Sequence, residues 1–128
     1  RSFNSLLVTG GAGFIGSNFI RRMLGPSSDF QGKIVNLDIL TYAGNPESLE
    51  DVAAAAGARY VFEKADICDR AAVEALFERH RPDAVVHFAA ESHVDRSIHG
   101  PEAFVRANVM GTFTLLDVAR QAWKGRAE

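Results

Sequence analysis

Residues 8–17 read VTGGAGFIGS, a glycine cluster that follows a short apolar run and precedes a helical pattern. Glycines at such a junction permit a tight turn, close approach of the backbone to a phosphate and close packing of a helix on a sheet. A helix that begins near Phe14 would direct its unpaired amides and the positive end of its dipole at that phosphate. The stretch therefore predicts a strand, a phosphate-binding turn at Gly10, Gly13 and Gly16, and a helix.

The segments on either side of the glycine cluster support a dinucleotide site. Leu6-Leu7-Val8 is an apolar run suited to a strand that is buried on both faces. Apolar residues then recur at helical spacing, and a second apolar run, Lys33–Asp38, ends in an acid. Asp38 follows Gly16 at about the 20-residue spacing of the carboxylate that binds ribose hydroxyls. A glycine turn with an unrelated surface aspartate is the alternative, and the order strand, glycines, helix, strand, acid disfavours it.

Asp38 also favours NAD over NADP. A carboxylate accepts hydrogen bonds from a free 2′-hydroxyl and repels a 2′-phosphate. The residues that follow, Ile39 and Leu40, provide no cation to hold such a phosphate. Arg59 and Lys64 are cations whose distance from this site the sequence leaves open.

The rest of the chain repeats the alternation of strand and helix. The predicted elements are a helix over Asn45–Ala56, a third strand over Tyr60–Lys64, a helix that Asp69 caps and Pro82 ends, a fourth strand over Ala84–Ala90 and a long helix from Pro101. Right-handed crossovers then give an α/β fold, a Rossmann-type doubly wound parallel sheet with strand order 3-2-1-4. We expect residues 1–128 to form one dinucleotide-binding domain, an incomplete Rossmann fold without a substrate domain.

Composition bounds the function classes. The 14 basic and 16 acidic residues nearly cancel, which predicts no attraction to nucleic acid or to an anionic membrane. Apolar stretches are strand-sized, and no basic segment followed by a hydrophobic core marks a signal peptide, so we expect a soluble, cytoplasmic protein. The single cysteine, Cys68, permits no internal disulfide and is expected to be a partly buried packing residue.

Four segments carry a resemblance to a known family: residues 9–17 (TGGAGFIGS), 38–45 (DILTYAGN), 65–69 (ADICD) and 89–98 (AAESHVDRSI). They resemble the amino-terminal part of the dTDP-glucose 4,6-dehydratases, which are extended short-chain dehydrogenases/reductases. The whole superfamily, sugar epimerases included, shares the glycine motif, whereas LTYAGN and AESHVDRS are narrower. The resemblance runs along nearly all of the chain, through NVMGT at residues 108–112.

The resemblance implies an NAD site with the pyrophosphate near Phe14, the adenosine ribose along residues 38–41, the adenine near Asp66 and the nicotinamide half along residues 89–92. The cofactor contacts expected in all are Gly10, Gly13, Phe14, Ile15, Gly16, Asp38, Ile39, Leu40, Thr41, Asp66, Ile67, Phe88, Ala89, Ala90, Glu91 and Ser92. Ser92 would also touch the sugar nucleotide. One departure is Ala107, where the family usually has a threonine among its cofactor contacts.

The resemblance also implies a reaction. Members convert dTDP-glucose to dTDP-4-keto-6-deoxyglucose and water with NAD recycled internally, and they are typically homodimers. The tyrosine base of a Tyr-x-x-x-Lys helix and a Thr-Asp-Glu trio lie beyond the equivalent of residue 128, so we expect no catalytic residue within this chain. Two alternatives stay open: an NAD-dependent nucleotide-sugar 4-epimerase, and a dinucleotide-binding module without chemistry.

Other local patterns are weaker. Tyr60 and Lys64 have the Tyr-x-x-x-Lys spacing, but on a strand they would lie about 13 Å apart, at roughly 3.3 Å per residue. Neighbours such as Ser92, His93 and Asp95 alternate in direction and cannot form a relay without special geometry. The histidines have no spacing typical of a zinc motif, so we predict no metal site. We expect His87 to be a satisfied core histidine and Trp123 to be a packing residue.

Overall fold

The computed structural model describes residues 3–40, 46–90, 98 and 100–126. Within these residues the chain forms a four-stranded sheet in the order β3-β2-β1-β4, and all neighbouring strands are parallel. The strands are β1 (Ser5–Thr9), β2 (Lys33–Asp38), β3 (Tyr60–Lys64) and β4 (Ala84–His87). The predicted Rossmann class and strand order are confirmed.

The fourth strand is shorter than the prediction of Ala84–Ala90, because it ends at His87. Its partner β1 ends at Thr9, directly opposite His87, where the glycine turn leaves the sheet. Phe88 still donates its amide to the Thr9 carbonyl at 3.0 Å. The Ala89 amide instead donates to the Thr9 hydroxyl at 3.2 Å, so the ladder has no further backbone partner.

Helices cover both faces of the sheet. Within the described residues they are α1 (Phe14–Leu24), a 3₁₀ turn (Pro46–Leu49), α2 (Glu50–Ala56), a 3₁₀ turn (Gly57–Arg59), α3 (Arg70–His80), α4 (Pro101–Val105), a π-helical segment (Arg106–Gly111) and α5 (Thr112–Trp123). Asp69 caps α3 as predicted, since its carboxylate accepts from the Ala72 amide. Helix α3 ends at His80, and its C-cap residue, Arg81, has a left-handed backbone conformation just before Pro82.

The long helix predicted from Pro101 contains the π-helical segment, which the sequence did not reveal. The hydroxyls of Thr112 and Thr114 donate at 2.8 Å to the carbonyls of Asn108 and Met110, four residues earlier. Such back-bonding competes with the helical ladder and bends helices. The segment therefore ends where two threonines bond to its carbonyls.

The core forms a layer on each face of the sheet. One layer joins the sheet to α3 and α5 and includes Leu7, Val35, Leu37, Val73, Leu76, Phe77, Leu115 and Val118. The other joins it to α1 and α2 and includes Leu6, Val8, Ile20, Ile34, Leu49 and Val52. Trp123 packs on Phe77 and donates its Nε1 to the Pro82 carbonyl at 2.8 Å, which confirms its packing role. None of the helices in the described ranges combines the length and apolarity that crossing a membrane requires.

Candidate functional site

The carboxyl ends of the strands surround a cavity of about 260 Å³. This is the edge of the sheet where ligands bind in doubly wound folds, at the reversal of strand order between β1 and β4. The cavity is lined by Gly10, Gly13, Leu37, Asp38, Ile39, Ala65, Asp66, Ile67, Cys68, Phe88, Ala89, Ala90, Ala103, Arg106 and Ala107. The structure thus brings together on one cavity residues that the sequence analysis selected from four separate segments.

The glycine turn is shaped by close backbone contacts. Gly10 has φ +70°, and a Cβ there would lie 2.6 Å from the Ala89 amide nitrogen, so only glycine fits between β1 and the end of β4. A Cβ on Gly16 would overlap the Gly10 carbonyl, which seats α1 directly on the turn. Gly13 is the N-cap of α1 and offers no side-chain cap, and the first turn holds no acid. The first-turn amides are therefore left for an external acceptor.

Phe14, Ile15 and Gly16 were predicted to contact the cofactor, but they do not line the cavity. The side chains of Phe14 and Ile15 are 83% and 67% exposed and lie outside the cavity lining. Gly16 is buried beneath the turn. These three positions can reach a ligand only through the backbone amides at the start of α1. Thr41, Glu91 and Ser92 lie outside the described residues.

Asp38 lies on the cavity wall with 9% of its surface exposed. Its Oδ2 accepts from the Ala12 amide at 2.9 Å, and its Oδ1 accepts from the Leu40 amide at 2.8 Å. Leu40 itself has φ +60°, a rare conformation for a bulky residue. Each carboxylate oxygen keeps a free lone pair. Asp38 is thus fixed in orientation and still able to accept hydrogen bonds from a ligand.

The two cations that the sequence left open lie in different places. Arg59 donates to the carbonyls of Gly32 and Phe30 at 3.0 and 2.7 Å, near the amino end of β2, away from the cavity. Lys64 is exposed and is paired in register with Asp38, but it does not line the cavity. Tyr60 and Lys64 lie on β3, as predicted, at opposite ends of the strand.

A second acid stands across the cavity from the glycine turn. Asp66 accepts from the Cys68 amide at 2.8 Å, and its other carboxylate oxygen lies 3.8 Å from the Arg106 guanidinium. The Cys68 thiol donates to the Arg106 carbonyl at 3.1 Å. Burial raises the pKa of that thiol, and the Asp66 carboxylate raises it further. The thiol is therefore protonated, and Cys68 is the partly buried packing residue that was predicted.

Sequence reasoning missed the wall formed by Ala103 and Arg106, and it noted Ala107 only through the resemblance. Their position in the first turns after the fourth strand could have indicated them. A helix that follows the fourth strand must start at the carboxyl edge of the sheet, so its first turns run past any cavity there. Gly111 brings this helix close, because a Cβ on it would overlap the Ile67 side chain.

His87 lies partly buried behind the cavity with both ring nitrogens engaged. Its Nδ1 is 2.5 Å from the Thr9 hydroxyl and its Nε2 is 2.9 Å from the Thr112 hydroxyl. The expectation of a satisfied histidine is confirmed. Over the residues that the structure describes, no cluster of three or more His, Cys, Asp or Glu side chains could hold a metal ion. His93, Asp95 and His99 lie outside that part.

Comparison with protein families finds the model of GDP-mannose 4,6 dehydratase over residues 7–127. A curated relative, the dTDP-glucose 4,6-dehydratase of Salmonella typhimurium, is 54% identical over 123 residues, which are 96% of this chain and 33% of the relative. The dTDP-glucose 4,6-dehydratase 1 of Escherichia coli is 57% identical over 118 residues, 92% of this chain and 31% of the relative. The chain spans about a third of the length of these relatives.

Solved structures of two enzyme types superpose on the chain. DesIV of Streptomyces venezuelae, a dTDP-glucose 4,6-dehydratase with NAD and TYD bound, matches with a TM-score of 0.84 and 48% identity over 92% of this chain and 36% of its own. The UDP-Glc/GlcNAc 4-epimerase of Campylobacter jejuni matches with a TM-score of 0.81 and 35% identity over 93% of this chain and 34% of its own. The fold alone does not separate the two reactions, whereas sequence identity favours the first.

Proposed function

The chain belongs to the GDP-mannose 4,6-dehydratase family, and we propose that it is the NAD-binding part of a dTDP-glucose 4,6-dehydratase. The observation that carries the proposal is the Asp38 carboxylate, which lies on the cavity wall beside the glycine turn and is held by the amides of Ala12 and Leu40. A carboxylate at this place in a Rossmann fold accepts hydrogen bonds from the adenosine ribose. Among the described residues, the cation on the cavity wall is Arg106, which is paired with Asp66 at 3.8 Å. The Asp38 carboxylate therefore favours NAD over NADP.

The residues fit the dinucleotide segment by segment. The turn from Gly10 to Gly13 and the first-turn amides of α1 hold the pyrophosphate. Glycine at positions 10 and 16 lets this turn pack against the end of β4 and against α1. Ile39, which lines the cavity, and the residues that follow it, Leu40 and Thr41, are assigned to the ribose. Asp66 and Ile67 contact the adenine. Phe88, Ala89, Ala90, Glu91 and Ser92 run along the nicotinamide half, and Ser92 also contacts the sugar nucleotide.

The proposed reaction converts dTDP-glucose to dTDP-4-keto-6-deoxyglucose and water. When bound, NAD supplies a hydride acceptor for C4 of the hexose and a hydride donor for C6. The residues of this chain bind and orient the cofactor and supply no catalytic base, since Tyr60 and Lys64 stand on a strand too far apart to act as a pair. We further propose a cytoplasmic protein that forms a homodimer through its last helix and has no nucleic-acid or membrane partner.

Calorimetry with the 128-residue chain tests the cofactor. We expect one NAD per chain and weaker binding of NADP. No binding of NAD, or a preference for NADP, would contradict the proposal. Product analysis with dTDP-glucose and NAD then tests whether the chain contains a catalytic base. The chain alone should form no 4-keto-6-deoxy sugar. Such a product would show that a catalytic base lies within it.

A 4-epimerase is the second candidate, because epimerase structures superpose with TM-scores up to 0.81. Over the aligned residues, these solved epimerases are 30% to 35% identical to this chain, whereas the curated dehydratases are 50% to 57% identical. Because we expect the 128-residue chain alone to be inactive, product analysis with dTDP-glucose and UDP-glucose on a longer polypeptide that includes this chain separates the two. Formation of a 4-epimer with no 4-keto-6-deoxy product would favour the epimerase.

A further inference from the structure

A row of hydrogen bonds crosses the fold behind the cavity. The Ala89 amide donates to the Thr9 hydroxyl at 3.2 Å, and that hydroxyl lies 2.5 Å from Nδ1 of His87. On the far side of the ring, Nε2 lies 2.9 Å from the Thr112 hydroxyl, which donates to the Asn108 carbonyl at 2.8 Å. The row thus links the end of β4 to the π-helical segment through one imidazole.

The direction of each proton in this row follows from its ends. The Thr112 proton is committed to the Asn108 carbonyl, so the Thr112 oxygen must accept from His87, and Nε2 carries a proton. At the other end, the Ala89 amide can only donate, so the Thr9 oxygen accepts there and its own proton points to Nδ1. The neutral ring with its proton on Nε2 therefore gives every donor one acceptor.

Any other protonation state breaks the row. A proton on Nδ1, in the other tautomer or in the imidazolium, would face the Thr9 proton and leave it without its acceptor. The groups that face the ring are Thr9 from β1 and Thr112 from α5, and both are neutral. In the part of the chain that the structure describes, burial is the single cause that shifts the pKa of His87, and it lowers that pKa from 6.5.

Both ends of the row stand at the cavity. Ala89 lines it from the β4 side, and its amide nitrogen is the atom that a Cβ on Gly10 would meet at 2.6 Å. Asn108 directly follows Ala107, which lines the cavity from the π-helical side. A change in the row would therefore move the two walls relative to each other and shift the contact with the glycine turn.

We propose that His87 is a positioning residue that holds these two walls of the cavity in place, and that it does so as a neutral imidazole with its proton on Nε2. His87 does not itself line the cavity. It acts on the two walls through Thr9, which accepts from the Ala89 amide, and through Thr112, which donates to the Asn108 carbonyl. The binding consequence rests on the proposed NAD site, whereas the protonation state does not.

Nuclear magnetic resonance of the chain with isotope-labelled histidine tests the protonation state without any ligand. At neutral pH, long-range correlations between ring protons and ring nitrogens should show His87 with its proton on Nε2. Thr112→Val, which removes the acceptor, should abolish this pattern at His87 and leave His80 unchanged. A proton on Nδ1 or a charged ring in the wild-type chain would overturn the proposal.

Calorimetry with NAD tests the positioning role. His87→Leu removes both ring contacts and should weaken NAD binding by roughly tenfold, the effect of a lost buried hydrogen bond. His87→Gln restores an N–H near Nε2 and should recover most of that loss, and Thr112→Val should fall between them. Equal affinity of His87→Leu and the wild type, or no recovery in His87→Gln, would contradict the proposal.

Two controls keep these tests separate. Thermal unfolding establishes whether each variant is folded. If His87→Leu is unfolded, the NAD affinities of Thr112→Val and His87→Gln are compared instead. If the wild-type chain binds no NAD, the proposed function fails, and the protonation state of His87 still decides whether the row exists.

Discussion

The Asp38 carboxylate links two parts of the proposed cofactor site. One oxygen holds the glycine turn through the Ala12 amide, and the other holds the residues that follow β2 through the Leu40 amide. Each oxygen keeps a lone pair that a ribose hydroxyl could use. In the proposed site, one residue therefore both fixes the turn and favours NAD over NADP.

Asp38→Asn tests that selection. The amide keeps one acceptor oxygen but loses the charge that strengthens hydrogen bonds, so NAD affinity should fall by roughly 10- to 100-fold, the effect of losing about 1.5–3 kcal/mol. Relative affinity for NADP should rise, because repulsion of its phosphate is removed. Both affinities are measured by calorimetry.

The matched control is Asp51→Asn on α2. Its side chain is 69% exposed and pairs with Arg21, so the variant removes one negative charge away from the cavity. We expect NAD affinity to stay at the wild-type value. An equal loss in both variants would show that net charge, and not the position of Asp38, governs binding.

His87 predicts a pH dependence of stability. Burial lowers the pKa of the folded ring from its ordinary value of 6.5, so the unfolded chain takes up the proton first as the pH falls. The stability from the neutral ring is fully present above 6.5 and is lost as the pH falls toward the folded pKa. Chemical unfolding between roughly pH 5 and 8 should show this decline in the wild type and a flatter profile in His87→Gln. Parallel profiles would refute this assignment.

Among the contacts between elements, that between α1 and the glycine turn is close enough to require glycine at position 16. Gly16→Ala would press a methyl group against the Gly10 carbonyl and should lower the free energy of unfolding by about 1–3 kcal/mol. Gly13→Ala is the matched control, because its methyl group would meet the same carbonyl at an ordinary 3.4 Å. Denaturant unfolding should show the larger loss for Gly16→Ala, and equal losses would count against the joint.

The elements that local sequence determines were predictable, and those that depend on partners were not. The unit from β1 through the glycines to β2 follows from apolar runs, glycine spacing and a terminal acid. The length of β4 depends on where β1 ends, which the apolar run of residues 84–90 does not contain. The π-helical segment depends on the packing of Gly111 on Ile67 and on threonine back-bonding, and neither changes the helical periodicity.

The same distinction holds for the candidate site. Asp38 was predictable because its place after β2 and its distance from the glycines are both features of the sequence. Arg106 was not, since its position on the cavity depends on how the last helix packs across the sheet. The conformation of Leu40 at φ +60° is rare for its residue type, so its own propensity does not predict it.

For the molecule as a whole, exposed apolar side chains follow the helical stretch from α4 through the π-helical segment to α5. Val105, Val109, Met110, Phe113 and Leu116 are each 50% to 65% exposed. Where exposed apolar residues form a large patch, they promote association. We expect the chain to self-associate as its concentration rises, as measured by sedimentation velocity.

Replacement of Phe113 and Leu116 by serine should shift this equilibrium toward monomer, because it removes the two exposed apolar side chains of this set that lie on α5. Phe3→Ser is the control, since Phe3 is 39% exposed just before β1. Unchanged association in the double variant, or an equal effect of the control, would show that another surface mediates it.

We propose that NAD lies across the carboxyl ends of the strands, with its pyrophosphate on the glycine turn and its ribose on Asp38. Titration of the isotope-labelled chain with NAD, followed by proton–nitrogen correlation spectra, is the most direct measurement of this arrangement. We expect shifted amides at residues 10–16 and 38–40 and at the carboxyl ends of β3 and β4, with α3 unaffected. An unchanged spectrum, or shifts confined to α3 and α5, would show that NAD does not bind there.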